Sequence, residues 1–337
     1  MIGLRKICIH KYNDIISIEN LLEAWKEFVT GKTKRKDVQE FERNLMSNII
    51  CLCTDLENKT YSHSPYTAFN ISDPKPRNIH KASVRDRLLH HAIYRKFYPF
   101  FDRLFIYDSY SCRLNRGTHK AIHTFRKFGY IESQNHTKTC WVLKCDIRKC
   151  FASVDQKILL EILNKSILDK DIAELLFKII SSFYSTEVGK GLPLGNLTSQ
   201  LLINIYLNEF DQFMKHKMKV KYYIRYADDF VILSQNRDYL LQLIYSISVF
   251  LKQNLKLQLH PDKLFIKTFA SGVDFLGWVH FPNHRVLRTA TKKKMFRNLA
   301  SKEGEKRENA KASYLGMLGW GNGYKLEEQI RGKKDLF

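Results

Sequence analysis

The stretch YIRYADDFVIL, Tyr223 to Leu233, sets two adjacent aspartates between apolar runs. It reads as a strand, a tight turn at Ala227–Asp228 and a second strand FVIL, so the carboxylates lie at or beside a hairpin tip. Side-by-side carboxylates repel each other and resist burial, and a divalent cation is what makes them tolerable among apolar neighbours. A Tyr-x-Asp-Asp string alone is weak, because exposed turns favour aspartate for local reasons. A third carboxylate would complete an oxygen cage. TCWVLKCDI, residues 139–147, is a β-prone run with Asp146 near its end, and a strand laid beside the hairpin brings that aspartate to the same place. Three carboxylates on adjoining strands fit two-metal phosphoryl transfer, in which ions about 3.5–4 Å apart activate a 3′-hydroxyl and hold a triphosphate. Aspartates suit it because magnesium prefers hard oxygen ligands.

The rest of the chain supplies a matching partner. Lys and Arg total 56 against 34 for Asp and Glu, a net charge of +22 over 337 residues, which points to an acidic partner and to nucleic acid first. A solvated basic surface is the plainer alternative, but it normally mixes both signs. At 44% hydrophobic the chain is globular, with two or three subdomains expected and disorder excluded. The cysteines Cys8, Cys51, Cys53, Cys112, Cys140, Cys145 and Cys150 include no CxxC pair and no zinc spacing, which predicts reduced, buried thiols. The N-terminus lacks a signal-peptide core and no run approaches the ~20 apolar residues of a membrane span, so a soluble, intracellular protein is expected.

Ile18, Leu21, Leu22, Trp25, Phe28 and Val29 follow a helical period, and Val38, Phe41, Leu45, Ile49 and Leu52 begin a second helix after GKTKRK. ISDPKPRNIHKASVRDRL carries two prolines that suit an extended hairpin, before Val84, Leu88, Leu89, Ala92, Ile93 and Phe97 restore helical spacing. Ile172, Leu175, Leu176, Ile179 and Phe183 mark an amphipathic helix. GKGLPLGNLTSQ is a glycine-punctuated loop whose Thr198 or Ser199 can cap the helix LLINIYLNEFDQFM, and the tail from about 283 reads as basic and helical. Asp155 precedes QKILLEIL, where it would cap a helix and need not touch metal.

These pieces together resemble a known family. LKCDIRKCFASVD resembles the first metal-binding motif of reverse transcriptases, GLPLGNLTSQ the nucleotide-pocket loop, YADD the second metal-binding motif and VDFLGW the primer-grip hairpin, in the family's order. Upstream, PKPRNI with VRDR, and YSCRLNRGTHKA, resemble the fingers motifs, so the likeness covers about residues 65 to 325. It implies an α+β right-hand polymerase: a helical N-terminal segment over 1–60, fingers over 61–136, a palm with an antiparallel sheet over 137–282 that carries a fingers-side helical insertion around 156–188, and a short helical thumb over 283–337. The implied reaction is RNA-directed DNA synthesis with two Mg2+ ions, or Mn2+ in their place, on a template RNA and RNA/DNA heteroduplex with deoxynucleoside triphosphates, and no membrane.

Most members resemble P-Q-G-x-x-x-S-P in the nucleotide loop, whereas this chain has Pro193-Leu194-Gly195-Asn196-Leu197-Thr198-Ser199-Gln200. The leucine-glycine start and Ser-Gln end are similar to the reverse transcriptases of diversity-generating retroelements. That branch implies error-prone cDNA synthesis, a small helical oligomeric accessory protein, and a cytoplasmic, prokaryotic or phage-encoded setting. A leucine in place of glutamine offers apolar contact alone near the incoming nucleotide, and apolar contacts discriminate weakly. Retron or phage-defence enzymes share the chemistry, but neither an Asn-Ala-x-x-His stretch before Asp146 nor a Val-Thr-Gly in the thumb is present. A group II intron protein would carry a maturase region and endonuclease beyond this length. A non-catalytic RNA-binding protein with the same shape is the rival of another class.

The resemblance also assigns roles by position. Asp146, Asp228 and Asp229, with the Ile147 carbonyl, would hold metal; Lys263 in LHPDKLF would protonate departing pyrophosphate, or be a solvated loop lysine. Phe151 would lie under the sugar and exclude a 2′-hydroxyl, with a core phenylalanine as the alternative. Arg77, helped by Lys75, would clamp the triphosphate by a bidentate fork, and Leu194, Gly195 and Gln200 would border the nucleotide. Arg87, Arg113 and Arg116, and Lys292, Lys293, Lys294 and Arg297 in the thumb, would hold nucleic-acid phosphates, or sit on surface carboxylates and a solvated helix face.

Overall fold

A computed structural model describes residues 6–72 and 76–332 of the chain. The N-terminal segment folds as helices α1 (Tyr12–Ile16), α2 (Ile18–Val29), α3 (Lys36–Arg43) and α4 (Leu45–Glu57). Ser17 caps α2 by accepting from the Asn20 amide, and Leu21, Ala24, Trp25 and Phe28 form its buried face. The periodicity from Val38 to Leu52 predicts one helix, but the chain breaks at Asn44, whose ψ of 37° leaves the helical region.

The proline-bearing stretch forms a hairpin of β1 (Thr67–Ile71) and β2 (Arg77–Lys81), followed by α5 (Val84–Asp102) and α6 (Thr118–Glu132). Next come β3 (Trp141–Asp146), the single turn α7 (Cys150–Ser153), α8 (Gln156–Asn164), α9 (Lys170–Ser181) and α10 (Leu197–Gln212). Asp155 caps α8, accepting from the Ile158 amide, as its position predicts. For α10 the predicted cap is replaced. Thr198 and Ser199 are buried inside the helix, and Asn196 is its first flanking residue. The Asn196 side chain caps nothing because it is used on the β2 side, donating to the His80 carbonyl at 2.9 Å.

The hairpin of β4 (Tyr223–Tyr226) and β5 (Asp229–Ser234) leads to α11 (Arg237–Asn254), β6 (Phe265–Thr268), and a small sheet of β7 (Val273–Phe275), β8 (Trp278–His280) and β9 (Arg285–Leu287). The tail begins with that last strand and then gives α12 (Thr289–Ala300), α13 (Gly304–Leu318) and α14 (Tyr324–Ile330).

Strand order in the central antiparallel sheet is β4-β5-β3-β6. Strand alternation divides its residues between two cores. Leu143, Cys145, Tyr223, Phe230 and Ile232 pack with α5, α8, α10 and α11 in the larger one. Val142, Ile224, Val231 and Leu233 meet Phe125 of α6 and Phe275 of β7 in the second. A third cluster of Ile122, Trp278, Leu287, Met295, Leu299 and Leu318 joins α6 to the C-terminal helices. All seven cysteines are free thiols; five are buried, but Cys51 and Cys112 are exposed, against the expectation that all would be covered. Among the described residues no helix is long and apolar enough to cross a membrane.

Candidate active site

The aspartates meet because of register. β3 and β5 run antiparallel with Asp146 directly across from Asp229, and β4 pairs Tyr226 with Asp229, leaving Ala227 and Asp228 as the two-residue turn. Directly opposed residues point to one face of the sheet, with Cβ atoms about 4.5–5.5 Å apart. Asp228 is tied to the same place through its backbone, since its carbonyl accepts from the Ile147 amide at 3.1 Å. In an extended residue N–H and C=O point to the same side, so the Ile147 carbonyl is turned toward the hairpin as well.

Two lysines answer the carboxylates. β6 pairs Lys144 of β3 with Phe265, and the single helical turn Pro261–Lys263 that precedes β6 carries Lys263 beside the end of β3, where the His260 amide donates to the Asp146 carbonyl at 2.7 Å. Lys263 Nζ donates to Asp146 Oδ2 at 3.0 Å. Lys144 shares the Asp146 face of its strand, two residues back, and its Nζ lies 3.7 Å from Asp229 Oδ1. Lys144 is 9% exposed. The sequence reading passed over it, although alternation by two from Asp146 is enough to find it.

Asp228 is the strained member. Burial, then the charges of Asp146 and Asp229, push its carboxyl above the ordinary value, and Lys263 only partly offsets them. A cation at this point would relieve all three effects. Among the described residues no group of three His, Cys, Asp or Glu side chains is gathered closely enough to hold a metal, and Asp146 and Asp229 are paired with Lys263 and Lys144. The donor set still suits a hard cation: carboxylate oxygens and a turned carbonyl, with no thiolate or imidazole among them.

Residues 71–280 match the family described as Reverse transcriptase (RNA-dependent DNA polymerase). The chain belongs to that family. The putative COX1/OXI3 intron 2 protein of Saccharomyces cerevisiae is 23% identical over 334 residues, covering 77% of this chain and 38% of that protein. Protein YkfC of Escherichia coli is 27% identical over 285 residues, 73% of this chain and 72% of YkfC. Group II intron-encoded protein LtrA of Lactococcus lactis is 23% identical over 310 residues, 71% of this chain and 50% of LtrA. The chain thus spans half of LtrA and well under half of the yeast protein. A structure of apo telomerase from Candida tropicalis, truncated from the C-terminal domain, superposes with a TM-score of 0.49 at 14% identity, over 70% of this chain and 59% of that one. The architecture is the α+β right-hand polymerase of the reverse transcriptase family, helices around antiparallel sheets.

The loop of residues 193–200 lies against the β1–β2 hairpin. The Leu194 carbonyl accepts from the His80 amide at 2.9 Å. Gly195 has φ +104°, and a Cβ there would come within 2.7 Å of Ile79 Cγ2, so both the backbone and the contact require glycine. Gly195 and Gln200 border a cavity of about 320 Å³ with Ile79, Lys81 and Arg87. Phe151 lies on α7, half-buried against the larger core, and its carbonyl accepts from the Leu192 amide at 2.8 Å, so it sits beside the loop. Arg77 opens β2 and is exposed. Lys75 lies outside the described residues.

The other arginines divide. Arg113 does not offer the nucleic-acid contact expected of it: its guanidinium is buried and donates to Asp102 Oδ1 at 2.6 Å and to the Ile106 and Ser109 carbonyls at 2.7 and 2.9 Å. It fastens a loop. Arg87 faces the cavity but is paired with Asp37 of α3, which also holds Lys81. Arg116 lies over the Tyr107 ring, 4.0 Å from its centroid. On α12, Met295 and Leu299 turn inward, which leaves Lys293 and Arg297 exposed one turn apart, while Lys292 and Lys294 are half-covered.

Proposed function

We propose that this chain is an RNA-directed DNA polymerase that copies a template RNA into cDNA, and that it serves a diversity-generating retroelement. The observation that carries the polymerase reading is the register that opposes Asp146 to Asp229 beside the Asp228 turn. Two magnesium ions held by Asp146, Asp228, Asp229 and the Ile147 carbonyl would neutralise phosphate charge and activate the primer 3′-hydroxyl. The side chains around them have separable tasks. Phe151 bars a 2′-hydroxyl by its bulk. Arg77, with Lys75, forks onto the triphosphate, and Lys263 is placed beside Asp146 to donate a proton to departing pyrophosphate. Leu194, Gly195 and Gln200 would border the new base pair, in keeping with the cavity that Gly195 and Gln200 line beside the β1–β2 hairpin. Residues 61–136 serve as fingers, 137–282 as palm and 283–337 as thumb, and Lys293 and Arg297 of the thumb meet the duplex backbone.

Primer extension on an RNA template with magnesium tests this directly. Wild type should extend, and the double variant Asp228→Ala, Asp229→Ala should lose synthesis while still binding RNA. Synthesis retained by the variant would refute the site; no synthesis by wild type under any divalent cation would favour a non-catalytic RNA-binding protein.

The retroelement branch rests on the Leu194-Gly195 start and Ser199-Gln200 end of the loop. The names of the relatives favour a second reading, an intron-type enzyme, since LtrA is a group II intron-encoded protein. The error spectrum separates them. Errors concentrated opposite template adenine, reduced by Leu194→Gln, support the retroelement with its small oligomeric accessory protein; uniform, rare errors support the intron type.

A further inference from the structure

Arg225 lies one strand residue from the catalytic turn, and nothing in its chemistry is left for a substrate. Its side chain and that of Asp211 on α10 are both fully buried. A guanidinium has five N–H donors, and each is used. Nε donates to Asp211 Oδ1 at 2.8 Å, and Nη2 donates to Asp211 Oδ2 at 2.7 Å and to Ser109 Oγ at 3.0 Å. Nη1 donates to Asn204 Oδ1 at 3.2 Å and to the Ala227 carbonyl at 3.1 Å. The acceptors are secured in turn, for the Tyr223 hydroxyl donates to Asp211 Oδ1 at 2.7 Å and Asn204 Nδ2 to the Ser111 carbonyl at 2.9 Å. Through its backbone, Arg225 donates to the Asp108 carbonyl and accepts from the Tyr110 amide, both at 3.0 Å.

The contact with Ala227 points outward from this network to the chemistry. Ala227 has φ +54°, a left-handed conformation that disfavours any residue with a Cβ, and Asp228 follows it directly. The Arg225 guanidinium holds the Ala227 carbonyl on one side of the turn, and the Ile147 amide holds the Asp228 carbonyl on the other. With both peptide oxygens pinned, the direction in which Asp228 leaves the backbone is determined. Stability alone is a poor reason for such a pair, because a buried ion pair rarely outperforms apolar side chains of the same volume. Geometric precision is a better one: groups that orient a metal ligand commonly matter tenfold or more to affinity or rate.

We propose that Arg225, clamped by Asp211, is a positioning residue for the catalytic turn, and that it sets how Asp228 presents its carboxylate to a divalent cation. This rests on the reading of Asp228 as a metal-binding residue. Two variants test it: Arg225→Lys, which keeps the charge but cannot make the fork, and the pair Arg225→Met, Asp211→Leu, which removes both charges together. For each, Tm, kcat and KM for primer extension, and Mn2+ binding followed by the paramagnetic signal of the free ion, are compared with wild type. Expected are a folded protein, an unchanged KM for the primer–template, and about a tenfold or larger loss in kcat together with weaker Mn2+ binding. Wild-type Mn2+ affinity and wild-type activity per folded molecule would overturn the proposal, and so would failure of both variants to fold, which would make the pair purely structural. If instead wild type binds no Mn2+ that Asp228→Ala loses, it is the metal reading of the site that has failed.

Discussion

Single residues here are governed by what burial does to charge. Asp228 shows it at the β4–β5 turn, and three histidines show it elsewhere. His280 on β8 is completely buried; its Nε2–H donates to the Phe275 carbonyl at 3.1 Å while Nδ1 has no partner. Burial, reinforced by Arg285 and Arg126, lowers its pKa to about 4. Burial likewise lowers His91 to about 4 and His90 to about 3. These rings stay neutral in the native state, whereas the unfolded chain takes up protons near pH 6.5. Between about pH 6.5 and 4 the unfolded state therefore binds more protons, and stability falls as pH falls. Each such ring can cost up to roughly 3 kcal/mol at the acid end of that window. Thermal melts should show Tm declining across it, and His280→Gln, which keeps a donor for Phe275, should flatten the decline. Parallel declines in variant and wild type would remove His280 from the account. Asp155 as a cap was legible in the sequence because a cap is a local motif; Arg113 was not, because its acceptors come from Asp102 and the 106–109 carbonyls.

Among the elements, register does the selecting. A slip of one residue between β3 and β5 would send Asp146 to the face that holds Leu143 and Cys145, so the apolar pattern that fixes the pairing also delivers the carboxylate. The hairpin and its strands could be read from alternation and the turn, and β3 from its β-branched and aromatic content. The start of α10 could not. Thr198 and Ser199 have the right chemistry for a cap, but the loop is held by β2 through Asn196 and Leu194, and the helix begins earlier than local preference suggests. Gly195 is where this packing has least tolerance. Gly195→Ala meets a positive φ and the 2.7 Å approach to Ile79 Cγ2, and should cost about 1–3 kcal/mol. The same change should raise KM for the nucleotide more than it lowers Tm suggests, measured by steady-state extension beside a melt. An unaltered KM would separate the loop from the nucleotide.

For the molecule as a whole, the excess of positive charge is the dominant fact. A net charge of +22 should bind nucleic acid chiefly through phosphates, so log affinity for an RNA/DNA duplex should fall linearly and steeply with log salt concentration. Lys293→Glu with Arg297→Glu, on the exposed face of α12, should weaken duplex binding for every sequence alike and make the salt slope shallower by about 2. Fluorescence anisotropy over a salt series measures both. A slope equal to wild type would place the duplex away from α12. Arg113→Ala, by contrast, belongs to the fold: loss of its buried bonds to Asp102 should lower Tm without a corresponding change in slope.

Much about this protein was already determined along the chain: alternation and helical periods name most elements, the charge total names the kind of partner, and the order of the motifs names the family. These are local or additive properties, and neighbouring residues suffice to state them. Tertiary structure alone decided which charges are spent internally. Lys144 on Asp229, Lys263 on Asp146, Arg87 and Lys81 on Asp37, and Arg225 on Asp211 are all pairings between elements. A basic residue looks the same in sequence whether its partner is a phosphate in solution or a carboxylate from a distant helix, and only folding brings that carboxylate within reach.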